Sequence, residues 1–354
     1  MKSNCVEGDG HVPCLFIFGD SYSDSGNNNN LPTVAKVNYH PYGIDFPSGP
    51  TGRFNNGLTL PDFLTQFLGF EKLIPPFADT SGSDILKGVN YASGAAGIRF
   101  ESGKQGGFVV DLGLQVKNHK VIVSEIGRRL GGDEAAEEYL KKCLYLVNIG
   151  TNDYINNYFM PLVFPTSRLY NTRQYAQLLI HQYSHQIKAL ESVGARKFGL
   201  FGLFPLGCIP NAILTRGTAP NGSSSCVQEQ NRAVSIFNHN LKSLVDQLNT
   251  NNTDFPDAKF TFVNTNKIFT QILHKPHSFG FKVTKGTCCK ISSAITGLCF
   301  PLKRPCENRD EFVFWDGIHT SQALNRIIAI SSYNNSIIAS SITSPMDISQ
   351  LARF

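Results

Sequence analysis

The 354 residues contain no run approaching the ~18 consecutive apolar residues that a bilayer-spanning helix requires. The longest candidates, such as Cys14 to Phe18, are strand-length. No basic tract interrupts the chain. Its 32 Lys and Arg and 27 Asp and Glu are scattered, with a net charge of +5, which argues against nucleic acid as a partner. Several chemical signatures are missing as well. Without H-E-x-x-H or a P-loop, the metalloprotease and nucleotide-hydrolase readings fall away. No G-x-G-x-x-G follows a strand, so a dinucleotide site is unsupported. The lack of G-x-S-x-G argues against the nucleophile elbow of α/β-hydrolases. No metal or cofactor is expected. Internal repeats and low-complexity linkers are also absent, which predicts one domain over residues 1–354.

What the chain does have is enough apolar content, 41%, to bury a sizeable core. Five short runs rich in Val, Ile, Phe and Leu read as buried strands: 14–18, 86–92, 143–149, 197–203 and 259–263. Helical periodicity fills the intervals at 59–68, 109–130, 134–142, 172–193 and 227–248, and a C-terminal helix is predicted within 321–342. Strands alternating with helices imply a parallel α/β sheet with right-handed crossovers. The loop 27–58 is far longer than a usual βα connection and is rich in Asn, Gly and Pro, as expected of a segment that shapes a site.

Nine cysteines, low charge and sequons at Asn221, Asn251 and Asn334 point to an oxidising, extracellular setting. The first residues form no apolar leader, and we expect that one has been removed. Nine is odd, so one thiol lacks an intramolecular partner. Cys143, inside the apolar run CLYLVNI, is the expected buried free thiol. Cys288, Cys289, Cys299 and Cys306, in a Cys-rich segment 286–306 without C-x-x-C spacing, predict disulfides rather than zinc, with the connectivity open.

Ligands of an open parallel sheet sit beyond the carboxyl ends of its strands. Three such places carry suggestive groups: GDSYSDSG after the first run, NYASGAAGI after the second and NIGTNDY after the third. Ser21 follows a strand and a Gly-Asp turn, where it can serve as a nucleophile or simply cap a helix. Asp316 and His319 form a D-x-x-H just before the C-terminal helix, a spacing that lets the carboxylate fold back onto the imidazole that would deprotonate a serine. Read alone, the pair fits a capping Asp and a surface His equally well. Gly94 offers an unobstructed backbone N–H and Asn152 a side-chain amide, both suited to a developing oxyanion. Each is also an ordinary turn residue. The four elements together are far more specific than any one.

With FIFGDSYSDSGNNNN, TGRFNNGLTLPDFL, GVNYASGAAGI, YLVNIGTNDY, FGLFPLGCIP and FVFWDGIHTS spread along nearly the whole chain, the sequence resembles the plant branch of the GDSL esterase/lipase family, within the SGNH hydrolase superfamily. The resemblance implies a flavodoxin-like three-layer α/β/α sandwich with a five-stranded parallel sheet. Carried onto this chain it makes Ser21 the nucleophile and Asp316 and His319 the acid and base. It makes Ser21 N–H, Gly94 N–H and the Asn152 amide the oxyanion donors. Two positions depart from the family pattern: SGAAG stands where SGGAG is frequent, placing Ala95 beside the oxyanion region, and HTS stands for HPT, placing Thr320 after the base. The expected activity is hydrolysis of acyl or acetyl esters of small molecules, lipids or cell-wall polymers through an acyl-enzyme, by a secreted glycoprotein. Two alternatives remain: an acyltransferase using the same acyl-enzyme, and a glycosylated extracellular binding or defence protein with incidental activity. Aromatics of the segment 39–54, among them Tyr42, Phe46 and Phe54, would either line an acyl pocket or pack against the domain.

Overall fold

The computed structural model describes residues 12–217, 225–293, 296–335 and 341–354. Four strands, β1 (Leu15–Gly19), β2 (Leu144–Asn148), β3 (Lys197–Phe201) and β4 (Lys259–Val263), lie side by side in parallel. They pair in register, so Phe16, Tyr145, Phe198 and Phe260 fall on one line. Their rings touch in succession at centroid distances of 5.2, 5.5 and 4.9 Å. Side chains alternate across a strand, so this line faces one helical layer, where His119 from the helix Leu112–Leu130 meets Phe16 at 4.7 Å. The neighbouring line of Ile17, Leu146, Gly199 and Thr261 faces the other layer. There a Cβ added at Gly199 would lie 2.9 Å from Ile348 of the helix Ile348–Arg353. The result is a three-layer α/β/α sandwich whose strands are apolar on both faces because both are covered.

Helix boundaries follow local chemistry. Thr59 and Asp62 form a capping box before Leu60–Phe67, with Pro61 in the first turn. Asn171 and Gln174 do the same for Thr172–Glu191, and Asp111 caps Leu112–Leu130, which ends on the left-handed Gly131.

Three expectations need correction. The fifth strand of the sheet is the two-residue segment Thr343–Ser344, antiparallel to β4 at the edge, so the sheet is mostly rather than wholly parallel. We number it β7, after β5 (Val283–Thr287) and β6 (Phe312–Phe314), which pair in parallel as a separate small sheet. The apolar run 86–92 does lie beside β1, where Lys87 O and Val89 O accept from Leu15 N and Ile17 N and Tyr91 N donates to Ile17 O, yet it forms only an isolated bridge at Asn90. Gly88 explains the irregularity: its φ of +120° breaks the strand conformation, and a Cβ there would stand 1.9 Å from Leu15 O. Cys143 is not a free thiol. It pairs with Cys14, because the residues just before two adjacent parallel strands are brought side by side. The other bridges are Cys208–Cys226, Cys288–Cys306 and Cys289–Cys299, and the remaining cysteine, Cys5, lies outside the described residues, as does Asn221.

Candidate active site

Ser21 sits two residues beyond β1, in a turn that begins with Ser23 N and Asp24 N donating to Asp20 O. Gly19 is obligatory at the bend, since a Cβ there would meet Asn148 O at 2.6 Å. The turn holds Ser21 buried apart from its approach to a cleft, and its Oγ lies 2.8 Å from His319 Nε2. His319 arrives from the other end of the chain, beyond β6. Its Nδ1 lies 2.8 Å from Asp316 Oδ2 and 3.0 Å from Oδ1. The D-x-x-H spacing works through a tight local turn: Asp316 Oδ1 accepts from Ile318 N and His319 N at 2.8 and 2.7 Å, so the carboxylate itself folds the loop that carries the imidazole. Phe54 and Tyr22 flank the imidazole at 4.9 and 5.4 Å, and Tyr22 OH ties down Ile318 O. Thr320, the departure after His319, donates to Asn325 Oδ1 in the following helix and tethers the loop there.

Of the expected oxyanion donors, Ser21 and Asn152 border one cleft, whereas Gly94 is not among the residues that line it. Ser21 N–H has no acceptor among the described residues. Asn152 stands on the helical turn Thr151–Asp153 just past β2, with Nδ2 donating to Ala96 O at 2.9 Å and Oδ1 accepting from Asn156. Gly94 N–H is directed at Asp24 Oδ2, 2.9 Å away, and a side chain at Gly94 would collide with Phe54 and Asn28. Ala95 borders the cleft with φ of +65°, a left-handed conformation in which the more frequent glycine would be unstrained.

A cleft of about 160 Å³ opens over Ser21 and His319. Val34, Ala35 and Phe54 of the long loop form one wall, and Met160, Leu298 and Ile318 contribute to the others. Among the described residues no Asp, Glu, Lys or Arg lines it. A larger groove of about 560 Å³, bordered by Leu68, Ile74 and Lys87, lies away from the serine. Among the described residues no three His, Cys, Asp or Glu side chains converge to hold a metal.

Two groups of residues with clear roles in the site escape a reading of the sequence. Three buried aspartates support the strand-end loops. Asp24 accepts from Gly26, Asn27 and Gly94 N–H, and burial raises its pKa to about 6. Asp153 accepts from Ile98 and Arg99 N–H and from Ser102, and burial likewise raises it to about 6. Asp20, next to the serine, is pushed up to about 7, chiefly by burial and further by the charge of Asp153. Their only signal in the sequence is the density of acidic residues in GDSYSDSG and GTNDY. The second is Tyr42, which does not line the cleft: its OH donates to Asp316 Oδ2 at 2.7 Å. Phe54 does line the cleft, and Phe46 packs beneath the Arg53 guanidinium.

Residues 15–331 match the family model described as GDSL-like Lipase/Acylhydrolase. The chain is 49% identical over 343 residues to GDSL esterase/lipase At1g29670 of Arabidopsis thaliana, covering 97% of this chain and 92% of that protein. It is 45% identical over 356 residues to GDSL esterase/lipase At4g18970 of the same plant, covering 100% and 96%. With a strand-end serine facing a histidine in this sandwich, and nearly half of its residues shared with these proteins over more than nine-tenths of their length, the chain belongs to the GDSL-like lipase/acylhydrolase family of carboxylic ester hydrolases.

Proposed function

We propose that Ser21 is the nucleophile of a two-step ester hydrolysis, with His319 as general base and acid and Asp316 as its orienting carboxylate. The observation that carries this reading is the continuous contact from Ser21 Oγ through His319 to Asp316, with Nε2 2.8 Å from the hydroxyl. His319 Nε2 takes the hydroxyl proton as Oγ bonds to the ester carbonyl carbon, and the carbonyl π electrons move onto its oxygen. Ser21 N–H and the Asn152 amide receive that charge, the amide through the Nδ2 hydrogen that Ala96 O does not hold. Gly94, whose N–H is held by Asp24 away from the cleft lining, takes no part in this step. Collapse of the intermediate breaks the bond to the alcohol, which leaves with the proton from His319. Water then repeats the sequence on the acyl-enzyme.

The uncharged, largely apolar cleft favours an ester without charge next to the scissile bond. Four disulfides support a role in an oxidising compartment, consistent with secretion. Asn251, exposed at the end of the helix Gln228–Asn251, is the best-presented sequon; Asn334 caps the helix Gln322–Tyr333 and is half-buried.

Incubating wild type, Ser21→Ala and His319→Ala with a fluorophosphonate tests the assignment, with the adduct located by peptide mass. Expected are an adduct on Ser21 in wild type, slower labelling without His319, and ester hydrolysis reduced by roughly 10³-fold or more in Ser21→Ala with an unchanged melting temperature. Retained hydrolysis in Ser21→Ala refutes the nucleophile.

A further inference from the structure

Asp316 has a second side-chain partner besides His319, and it comes from a loop that precedes it by more than two hundred residues. Tyr42 is fully buried and donates its hydroxyl to Asp316 Oδ2 at 2.7 Å. The same oxygen atom of Tyr42 accepts from Cys299 N–H at 2.9 Å. Cys299 is bridged to Cys289, whose N–H bonds Trp315 O, the residue immediately before Asp316. Tyr39 OH adds a bond to Cys299 O, and Leu302 N donates to His40 O. The phenol oxygen thus accepts from Cys299 N–H and directs its own proton at the carboxylate.

We propose that Tyr42 is a positioning residue for Asp316, and that the Cys289–Cys299 loop acts on the catalytic histidine through it. The proposal rests on the Ser21–His319–Asp316 reading above. A carboxylate whose Oδ2 met only the imidazole could rotate about its terminal bond and exchange the two oxygens facing Nδ1. Backbone donors fix Oδ1, and Tyr42 fixes Oδ2, so the plane of the carboxylate is set on both sides. Burial, with Asp316 beside it, holds the phenol well above its ordinary range, so the hydroxyl stays protonated and only donates to the carboxylate. Besides Tyr42, the polar groups facing this pair are the Tyr22 and Tyr39 phenols, with the Asp20 carboxyl beyond Tyr22.

Tyr42→Phe keeps the ring and removes the proton donor. Expected is a fall of about tenfold in kcat, the size associated with losing a charge-assisted hydrogen bond, with KM within about twofold. The acid limb of the kcat/KM profile should move to higher pH, because a carboxylate relieved of one donor holds the protonated imidazole more strongly. A fluorinated tyrosine at position 42 keeps both ring and hydroxyl while strengthening donation, and should move the limb the opposite way. This second variant answers the question even where Tyr42→Phe folds poorly. A wild-type kcat and an unmoved acid limb in Tyr42→Phe, or no displacement with the fluorinated ring, would overturn the role and leave Tyr42 as packing. Fluorophosphonate labelling separates the two readings: in Tyr42→Phe the adduct should still form on Ser21, more slowly, whereas a wild type that never labels condemns the nucleophile assignment.

Discussion

The core against the main sheet and the smaller cluster behind Asp316 are assembled by different means. Around the sheet, residues such as Phe16, Leu146, Phe198 and Phe260 repeat along registered strands, and helices close both faces. Behind Asp316, Val37, Tyr42, Phe54, Leu298 and Trp315 form a separate apolar cluster drawn from the long loop and the Cys-rich segment, with hardly any regular structure. Two disulfides, the paired N–H groups of Cys288 and Cys289 on Phe314 O and Trp315 O, and a two-pronged Arg309–Asp45 ion pair hold it together. The first region carries stability. The second sets the geometry of Asp316 and His319, and cross-links stand where layers of strands and helices are lacking.

The two regions also treat their carboxylates differently. Asp316, in the small cluster, has donors on both oxygens. Asp20, at the end of β1, is buried with Oδ2 unpartnered among the described residues, and its pKa rises accordingly.

If this division of labour is right, Leu146→Ala in the middle of β2 should cost about 2 to 5 kcal/mol in denaturant unfolding while leaving kcat of the folded enzyme unchanged. A large fall in kcat per folded molecule would break the comparison. Asp20→Asn sharpens it next. Because the folded state raises this pKa from 3.8 to about 7, wild type binds the proton more tightly folded than unfolded, and its stability declines as pH rises through that window. Linkage puts the decline at up to about 4 kcal/mol, and the Asn variant should lack it, matching wild type near pH 4 and exceeding it at pH 8 in thermal unfolding. Parallel melting curves at all pH values would show that Asp20 carries no such burden. The smallest effect on stability should come from Cys289→Ser/Cys299→Ser, which opens a short loop and costs about 2 to 3 kcal/mol. Its kcat should nevertheless fall by more than the folded fraction explains, because Tyr42 loses its clamp; proportional losses of activity and folded fraction would merge the two regions into one.

Much of the first region can be read from the chain. The strands β1 to β4 announce themselves as short β-branched and aromatic runs, and the capped helices between them follow from a 3.6-residue period. The run at 86–92, read as a strand with the others, fails to become a regular one, because the glycine at position 88 must pass against the backbone of β1. The edge strand Thr343–Ser344 is too short to carry any periodicity at all. In the second region the aromatics of the long loop are visible but their duties are not. Phe54 faces the cleft and Tyr42 faces away from it, and nothing in the spacing of the two distinguishes them.

The sequence by itself determined the alternation of strands and helices, the placing of Ser21, Gly94 and Asn152 after strand-like runs, and the closeness of Asp316 to His319, since each depends on contacts within a few residues. Tertiary structure decided that Ser21 meets His319 across 298 positions, that Tyr42 meets Asp316 across 274, and that Cys143 bonds Cys14 across 129. Such pairings follow from which strands become neighbours and which loops fold over their ends, and that choice is made by burying the apolar faces of the whole chain together.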